Sequence, residues 1–162
     1  MVRKVRFSII VMSVFITLTT ACGGMFMQND VATINSSSVS ASLYYVDGSY
    51  VGPAYNMAVT VPDSWVNNIE IQNVGNRIYF NILKDRGAST QLFFIEALSE
   101  NQYWDQAGAH PGSYVPIVNK GDTYFTYHLP IDTYYSRLSV EELAAFSAEI
   151  PEIIASFEVN PA

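Results

Sequence analysis

The clearest pattern of apolar and polar positions lies in the middle of the chain. Alternation over Val66 to Gln72 predicts a half-buried strand, and Arg77 to Lys84 repeats the same period of two. Gly75 and Asn76 separate them with residues typical of a turn. Thr90 to Leu98 follows as the most apolar stretch of this part of the chain, which is typical of a central strand. We therefore predict an antiparallel meander of three strands.

Turn residues on either side of the meander predict further strands. Asp47-Gly48 and Lys120-Gly121-Asp122 each separate two apolar segments, which indicates two hairpins. Pro62 ends one further strand, because proline has no backbone N–H to donate to the hydrogen-bond ladder of a central strand. The predicted segments are Leu43 to Val46, Ser49 to Val51, Ala54 to Val61, Tyr114 to Asn119 and Thr123 to Leu129.

Two capping boxes predict helices. Ser99 with Gln102, and Ser139 with Glu142, show the spacing in which both side chains cap the first turn. The second helix keeps a helical period of apolar residues through Pro151, so we expect one kinked helix or two abutting helices. Those apolar positions are Leu143, Phe146, Ile150, Ile153, Ile154 and Phe157. The predicted fold is α+β, an antiparallel sheet of about six strands flanked by a short helix and a long C-terminal helix.

The N-terminus has the pattern of an export signal. Arg3, Lys4 and Arg6 precede an apolar stretch from Phe7 to Leu18, which is shorter than the roughly 20 residues needed to cross a bilayer. Small residues follow and lead to Cys22, the only cysteine in the chain. This pattern predicts a signal that is removed by cleavage and a folded part that works outside the cytoplasm.

The segment Leu18-Thr19-Thr20-Ala21-Cys22 resembles the lipobox of bacterial lipoproteins. That resemblance implies cleavage between Ala21 and Cys22 and a diacylglyceryl lipid on Cys22, with acyl chains such as palmitate. It departs from the family in having Thr19 where leucine is usual. The alternatives are an ordinary secretory signal cleaved near Ala21 and a short uncleaved anchor. The predicted location is the extracytoplasmic face of the cell membrane, held by two or more acyl chains.

Amino-acid composition divides the chain into three segments, and its charge and cysteine content exclude several kinds of partner and site. We predict a signal peptide at 1–21, a lipidated flexible linker rich in glycine, serine and asparagine at 22–42, and one domain at 43–162. Cleavage removes three of the eight basic residues and no acidic residue, which changes the net charge from −7 to −10. Nucleic acid is therefore not an expected partner. With Cys22 lipidated, the domain has no thiol for disulfides, catalysis or metal binding.

The order of predicted elements resembles that of small bacterial lipoproteins with a PsbP-type domain, the fold of the photosystem II extrinsic protein. The resemblance covers about Tyr55 to Phe157. It implies an α/β/α sandwich and little about activity, since such domains mostly serve in binding or assembly. The segments that carry it are Val61-Pro62-Asp63-Ser64-Trp65, Leu92-Phe93-Phe94-Ile95, Tyr103-Trp104, Gly121 to Tyr127 and Ile153 to Phe157.

Candidate catalytic residues are few. His128 lies in a predicted strand, and the sequence places neither Asp122 nor Ser113 beside it. His110 lies in a glycine-rich loop and could bind a metal only with a partner such as Asp105. No nucleophile elbow, phosphate loop, zinc-protease helix or calcium loop is present in the sequence. We therefore predict neither an enzyme nor a metal site.

Aromatic residues offer a third kind of site, a platform for sugars or a protein contact. We expect Tyr103 and Trp104 to pack the short helix onto the sheet, and Tyr134 with Tyr135 to form the surface contact. The predicted function is a membrane-anchored, non-enzymatic binding or assembly role in the bacterial cell envelope, with an envelope protein as partner. The first alternative is a lipoprotein that binds a small ligand, sugar or cation, and a hydrolase is the second.

Overall fold

The computed structural model describes residues 29–84, 88–129 and 138–162. Within these ranges the chain forms eleven strands, two α-helices and a short 3-10 turn at Asp63–Trp65, an α+β fold with antiparallel sheets. The strands are β1 Asn29–Thr33, β2 Ser38–Leu43, β3 Val46–Asp47, β4 Tyr50–Val51, β5 Tyr55–Thr60, β6 Ile69–Val74, β7 Arg77–Lys84, β8 Ala88–Ser99, β9 Val115–Lys120, β10 Thr123–His128 and β11 Glu158–Pro161. The helices are α1 Glu100–Ala109 and α2 Val140–Ala155.

The predicted meander forms the centre of the main sheet. Its strand order is β1-β6-β7-β8-β10-β9, and every neighbouring pair is antiparallel. Gly75, at φ +63°, makes the turn between β6 and β7, where a side chain would be strained. The main sheet has the predicted number of strands, and β8 lies inside it between β7 and β10.

The segment predicted as a flexible linker contains ordered structure from Asn29 onward, which corrects that prediction for residues 29–42. β1 pairs with β6, and β2 pairs with β5. Val39 and Leu43 of β2 are buried, because their side chains alternate with serines that face outward. The apolar period is present but is hidden by a serine-rich composition.

The C-terminus also differs from the prediction. α2 has 16 residues and ends at Ala155, so the long C-terminal helix is not confirmed, although the helix does continue through Pro151. The chain then forms β11, which pairs with β5 and completes a second sheet in the order β11-β5-β2. Val159 of β11 is buried, so this strand contributes a side chain to the core.

The core lies between the inner face of the main sheet and the layer formed by α2 and the second sheet. Trp65 is fully buried there, and its ring contacts Phe93 of the sheet and Phe146 of α2 at centroid distances of 6.2 and 5.7 Å. Its indole N–H donates to the carboxylate of Glu149. The helix α1 lies on the opposite face, since Tyr103 stacks on Tyr124, the neighbour of the inward-facing Phe125.

Both helices begin as predicted. The Ser99 and Ser139 side chains each accept a hydrogen bond from the backbone N–H three residues ahead. The Gln102 and Glu142 side chains in turn accept a hydrogen bond from the backbone N–H of Ser99 and of Ser139. The hairpin of β9 and β10 is also confirmed. The smaller hairpin of β3 and β4 turns at Gly48 and Ser49, one residue later than predicted.

Candidate functional site

The residues proposed from sequence for lipidation and surface contact lie outside the described ranges. Ala21 and Cys22 precede residue 29, and Tyr134 and Tyr135 fall between 129 and 138. Their roles stay predictions.

A polar cluster lies on the face of the main sheet that carries α1. Glu96 of β8 is 1% exposed, and its Oε1 accepts hydrogen bonds from Arg77 Nε at 2.6 Å and Asn76 Nδ2 at 2.9 Å. The Arg77 guanidinium also lies over the Phe94 ring, 5.2 Å from its centroid. A buried carboxylate requires such partners, because the loss of hydration otherwise costs several kcal/mol.

His128 lies next to this cluster and is enclosed by aromatic rings. Phe94 stacks on it at 4.4 Å, and Tyr114 meets it edge-on at 4.0 Å. Burial first and the nearby Arg77 charge second lower the pKa of His128 to about 4, against a backbone hydrogen bond with Ser113 that acts in the opposite direction. The ring is therefore neutral at pH 7.

The contacts of His128 do not form a nucleophile relay. Its Nε2 lies 3.2 Å from the Thr126 hydroxyl and 3.6 Å from Glu96 Oε2. A relay needs the acid on one ring nitrogen and the nucleophile on the other, whereas here both groups lie near the same atom. Glu96 Oε2 has no hydrogen-bond partner within the described ranges.

The partners that the sequence suggested for the two histidines lie elsewhere. Asp122 accepts a hydrogen bond from the Tyr45 hydroxyl at 2.6 Å, and Ser113 reaches His128 only through its backbone. His110 is exposed at the end of α1. Across the part of the chain that the structure describes, no group of three or more His, Cys, Asp or Glu side chains could hold a metal ion.

A group of three aromatic rings, of which one is exposed and two are half-buried, lies on α1 and β10. Tyr103 stacks on Tyr124 with centroids 4.6 Å apart, and Trp104 meets Tyr103 edge-on at 5.0 Å. Trp104 is nevertheless 60% exposed, so the expectation that it packs the helix down is wrong, although Tyr103 is half-buried as expected. We call Tyr103, Trp104 and Tyr124 the aromatic face.

A cleft of about 350 Å³ lies between the β3–β4 hairpin and the start of α1. We call it the hairpin cleft; its lining residues are Tyr45, Asp47, Tyr50, Ser99, Glu100, Asn101 and Asp122. Tyr50 is 59% exposed. Tyr45 is buried, and its hydrogen bond to Asp122, together with burial, raises the pKa of its hydroxyl.

Two contacts hold the hairpin against α1. The Ser99 hydroxyl donates to Asp47 Oδ2 at 2.6 Å, and Gln102 Nε2 donates to the Val46 carbonyl at 2.7 Å. The Tyr45 ring also lies against Gly52, where an added Cβ would come within 2.3 Å of a ring carbon. Ser99, which caps α1, therefore also lines the cleft.

The chain matches no protein-family model, and no curated protein or solved structure is found to be similar to it. None of the helices within residues 29–84, 88–129 and 138–162 is long and apolar enough to cross a membrane.

Proposed function

We propose that this protein is a bacterial lipoprotein, anchored through a lipid on Cys22, whose folded part is a non-enzymatic binding or assembly module of the cell envelope. The basic N-terminus, the short apolar stretch and the lipobox-like segment support the anchor. The α+β fold with antiparallel sheets is compatible with the PsbP-type resemblance, which is part of the same proposal.

The aromatic face is the observation that carries the binding role. A Trp that is 60% exposed leaves a large apolar surface in water, while its edge contact with Tyr103 restricts the freedom of the ring. A ring held in this way loses little conformational entropy on binding, which is why Trp and Tyr are frequent hot spots. We propose Trp104 as the central contact residue.

The geometry of His128 favours binding over hydrolysis. The ring is buried, and the polar side chains beside it, those of Thr126 and Glu96, both lie near one nitrogen. Thr126 is itself fully buried, so a substrate would have to enter the sheet face to reach its hydroxyl.

The anchor is tested by the Cys22→Ser variant. We expect it to appear in the soluble fraction, whereas the wild-type chain stays with membranes, because acyl chains supply about 0.8 kcal/mol of binding per buried methylene. Val31→Ser is the control variant, because it changes an exposed position and keeps Cys22. Membrane retention of Cys22→Ser would contradict the anchor.

The contact surface is tested by Trp104→Ala in the full-length protein. Envelopes are solubilised in mild detergent, the tagged protein is recovered, and co-recovered proteins are compared by quantitative mass spectrometry. Val140→Ala is the control, since Val140 is 68% exposed at the start of α2. We expect a protein that is retained by the wild type and the control to be lost with Trp104→Ala; equal retention by all three would contradict the proposal.

A second candidate function, binding of a small ligand such as a sugar, is favoured by the hairpin cleft, where tyrosine rings and polar groups converge. Thermal denaturation of the full-length protein with wall sugars or calcium tests it. A ligand at a hundredfold its dissociation constant adds about 2.7 kcal/mol, which raises the melting temperature by several degrees. Unchanged melting temperatures would contradict this candidate.

A further inference from the structure

The hairpin cleft combines aromatic rings with negative charge. Tyr50 presents an exposed ring, and the centroid of the Tyr45 ring lies 5.9 Å from that of Tyr50. The faces of such rings attract cations through their quadrupole. A cation in the cleft would therefore meet the exposed Tyr50 ring as well as carboxylates.

Three carboxylates line the cleft and no basic residue is among its described lining residues. Asp47 and Asp122 accept hydrogen bonds from Ser99 and Tyr45, which hold the two carboxylates in place, and Glu100 is exposed. The N-terminus of α1 contributes a partial positive charge of roughly one half, which is small against three carboxylates. The cleft thus disfavours anions and complements a positive group.

The surface extends beyond the cleft along α1. Glu100 at the edge of the cleft and Trp104 on the aromatic face are four residues apart, so they lie on the same side of the helix in successive turns. Both surfaces together are larger than a single ion or ammonium group could cover. Their extent matches a peptide segment that places one side chain in the cleft and a neighbouring part of its chain against Trp104.

We propose that the hairpin cleft and the aromatic face together bind a lysine- or arginine-bearing segment of a protein partner. This inference rests on the proposed function, since it names the chemistry of the partner for the same surface. Glu100 and Tyr50 contact the cationic side chain, and Trp104 contacts the neighbouring part of the segment.

The test uses the full-length lipidated protein in detergent with a fluorescently labelled octalysine peptide as the probe and octaglutamate as the opposite-charge control. We expect saturable binding of octalysine that weakens about three- to fivefold in each of Glu100→Gln and Tyr50→Leu, and about tenfold in the double variant. Glu141→Gln is the matched control, because Glu141 is an exposed glutamate in the first turn of the other capped helix.

Three results would overturn the inference. Equal weakening by Glu100→Gln and Glu141→Gln would show that only the net charge attracts the peptide. Tight binding of spermidine that competes fully with octalysine, with no effect of Trp104→Ala, would assign the cleft to a small cation. Absence of saturable octalysine binding would also overturn it.

Different experimental results would overturn the cationic partner and the proposed contact surface. If Trp104→Ala abolishes retention of an envelope protein but octalysine does not bind, the contact surface stands and its cationic partner does not. If octalysine binding depends on Glu100 and Tyr50 while Trp104→Ala retains every envelope protein, the cleft binds a cation but the proposed contact surface is wrong.

Discussion

Replacement of His128 provides a direct test of the buried polar cluster. The pKa of this side chain falls from 6.5 to about 4 on folding, first because the ring is buried and second because Arg77 is nearby. The unfolded chain therefore binds a proton as the pH drops through 6.5, while the folded chain does so only near pH 4. Stability is lost across that window as the pH falls.

The size of this effect follows from the shift. At 1.36 kcal/mol per pH unit, a shift of this size destabilises the folded state by about 3 kcal/mol at and below pH 4, and by nothing at pH 8. Carboxylates contribute further acid sensitivity, but they do so equally in a His128→Gln variant. The difference in unfolding free energy between wild type and His128→Gln isolates the histidine.

Urea unfolding followed by circular dichroism at 222 nm, at intervals from pH 8 to pH 4, measures this difference. We expect the stability of wild type relative to His128→Gln to fall by about 3 kcal/mol over that range. His110→Gln is the control, since His110 is the other histidine of the chain and is exposed. A relative gain for wild type at low pH would contradict this prediction, because it would mean that protonated His128 pairs with Glu96 Oε2.

Three further predictions concern packing, capping and the two tryptophans. Gly52→Ala should lower the unfolding free energy by about 1–3 kcal/mol in thermal denaturation, because its Cβ would displace the buried Tyr45 ring; unchanged stability would contradict the close contact. Ser139→Ala should cost about 1 kcal/mol by loss of the α2 cap, and a loss below 0.3 kcal/mol would contradict the role of that cap. The Trp65→Phe variant should show the red-shifted, iodide-quenchable emission of exposed Trp104 alone, and a blue-shifted emission would contradict that exposure.

Local patterns were sufficient to predict the centre of the fold. The alternation over β6 and β7, the apolar stretch of β8 and the two capping boxes each depend on residues that are close in sequence, and the structure confirms them. β2 was missed because Val39 and Leu43 alternate with serines, and its burial is fixed by distant pairing with β5. β11 was missed because the apolar period of α2 continues without a break into Phe157.

The candidate site was only partly predictable, because it also depends on contacts between residues that are distant in sequence. Glu96 is the single charged residue in the most apolar strand, which was a usable signal of a buried, partnered carboxylate. Its partner Arg77 becomes apparent only from the register of β7 against β8. The exposure of Trp104 depends on how α1 lies on the sheet, since Tyr103 and Trp104 are adjacent in sequence and only one of them can face β10.

Site-specific photo-cross-linking in the native host shows whether an envelope protein contacts the aromatic face. A benzoylphenylalanine residue replaces Trp104 on the aromatic face or, as the control, Glu141 on α2, and intact cells are irradiated. We expect a discrete cross-linked envelope protein at position 104 and none at position 141, and the product should be lost in the Cys22→Ser background if the anchor brings the partners together. Identical products at both positions, or none at position 104, would contradict the proposed contact surface.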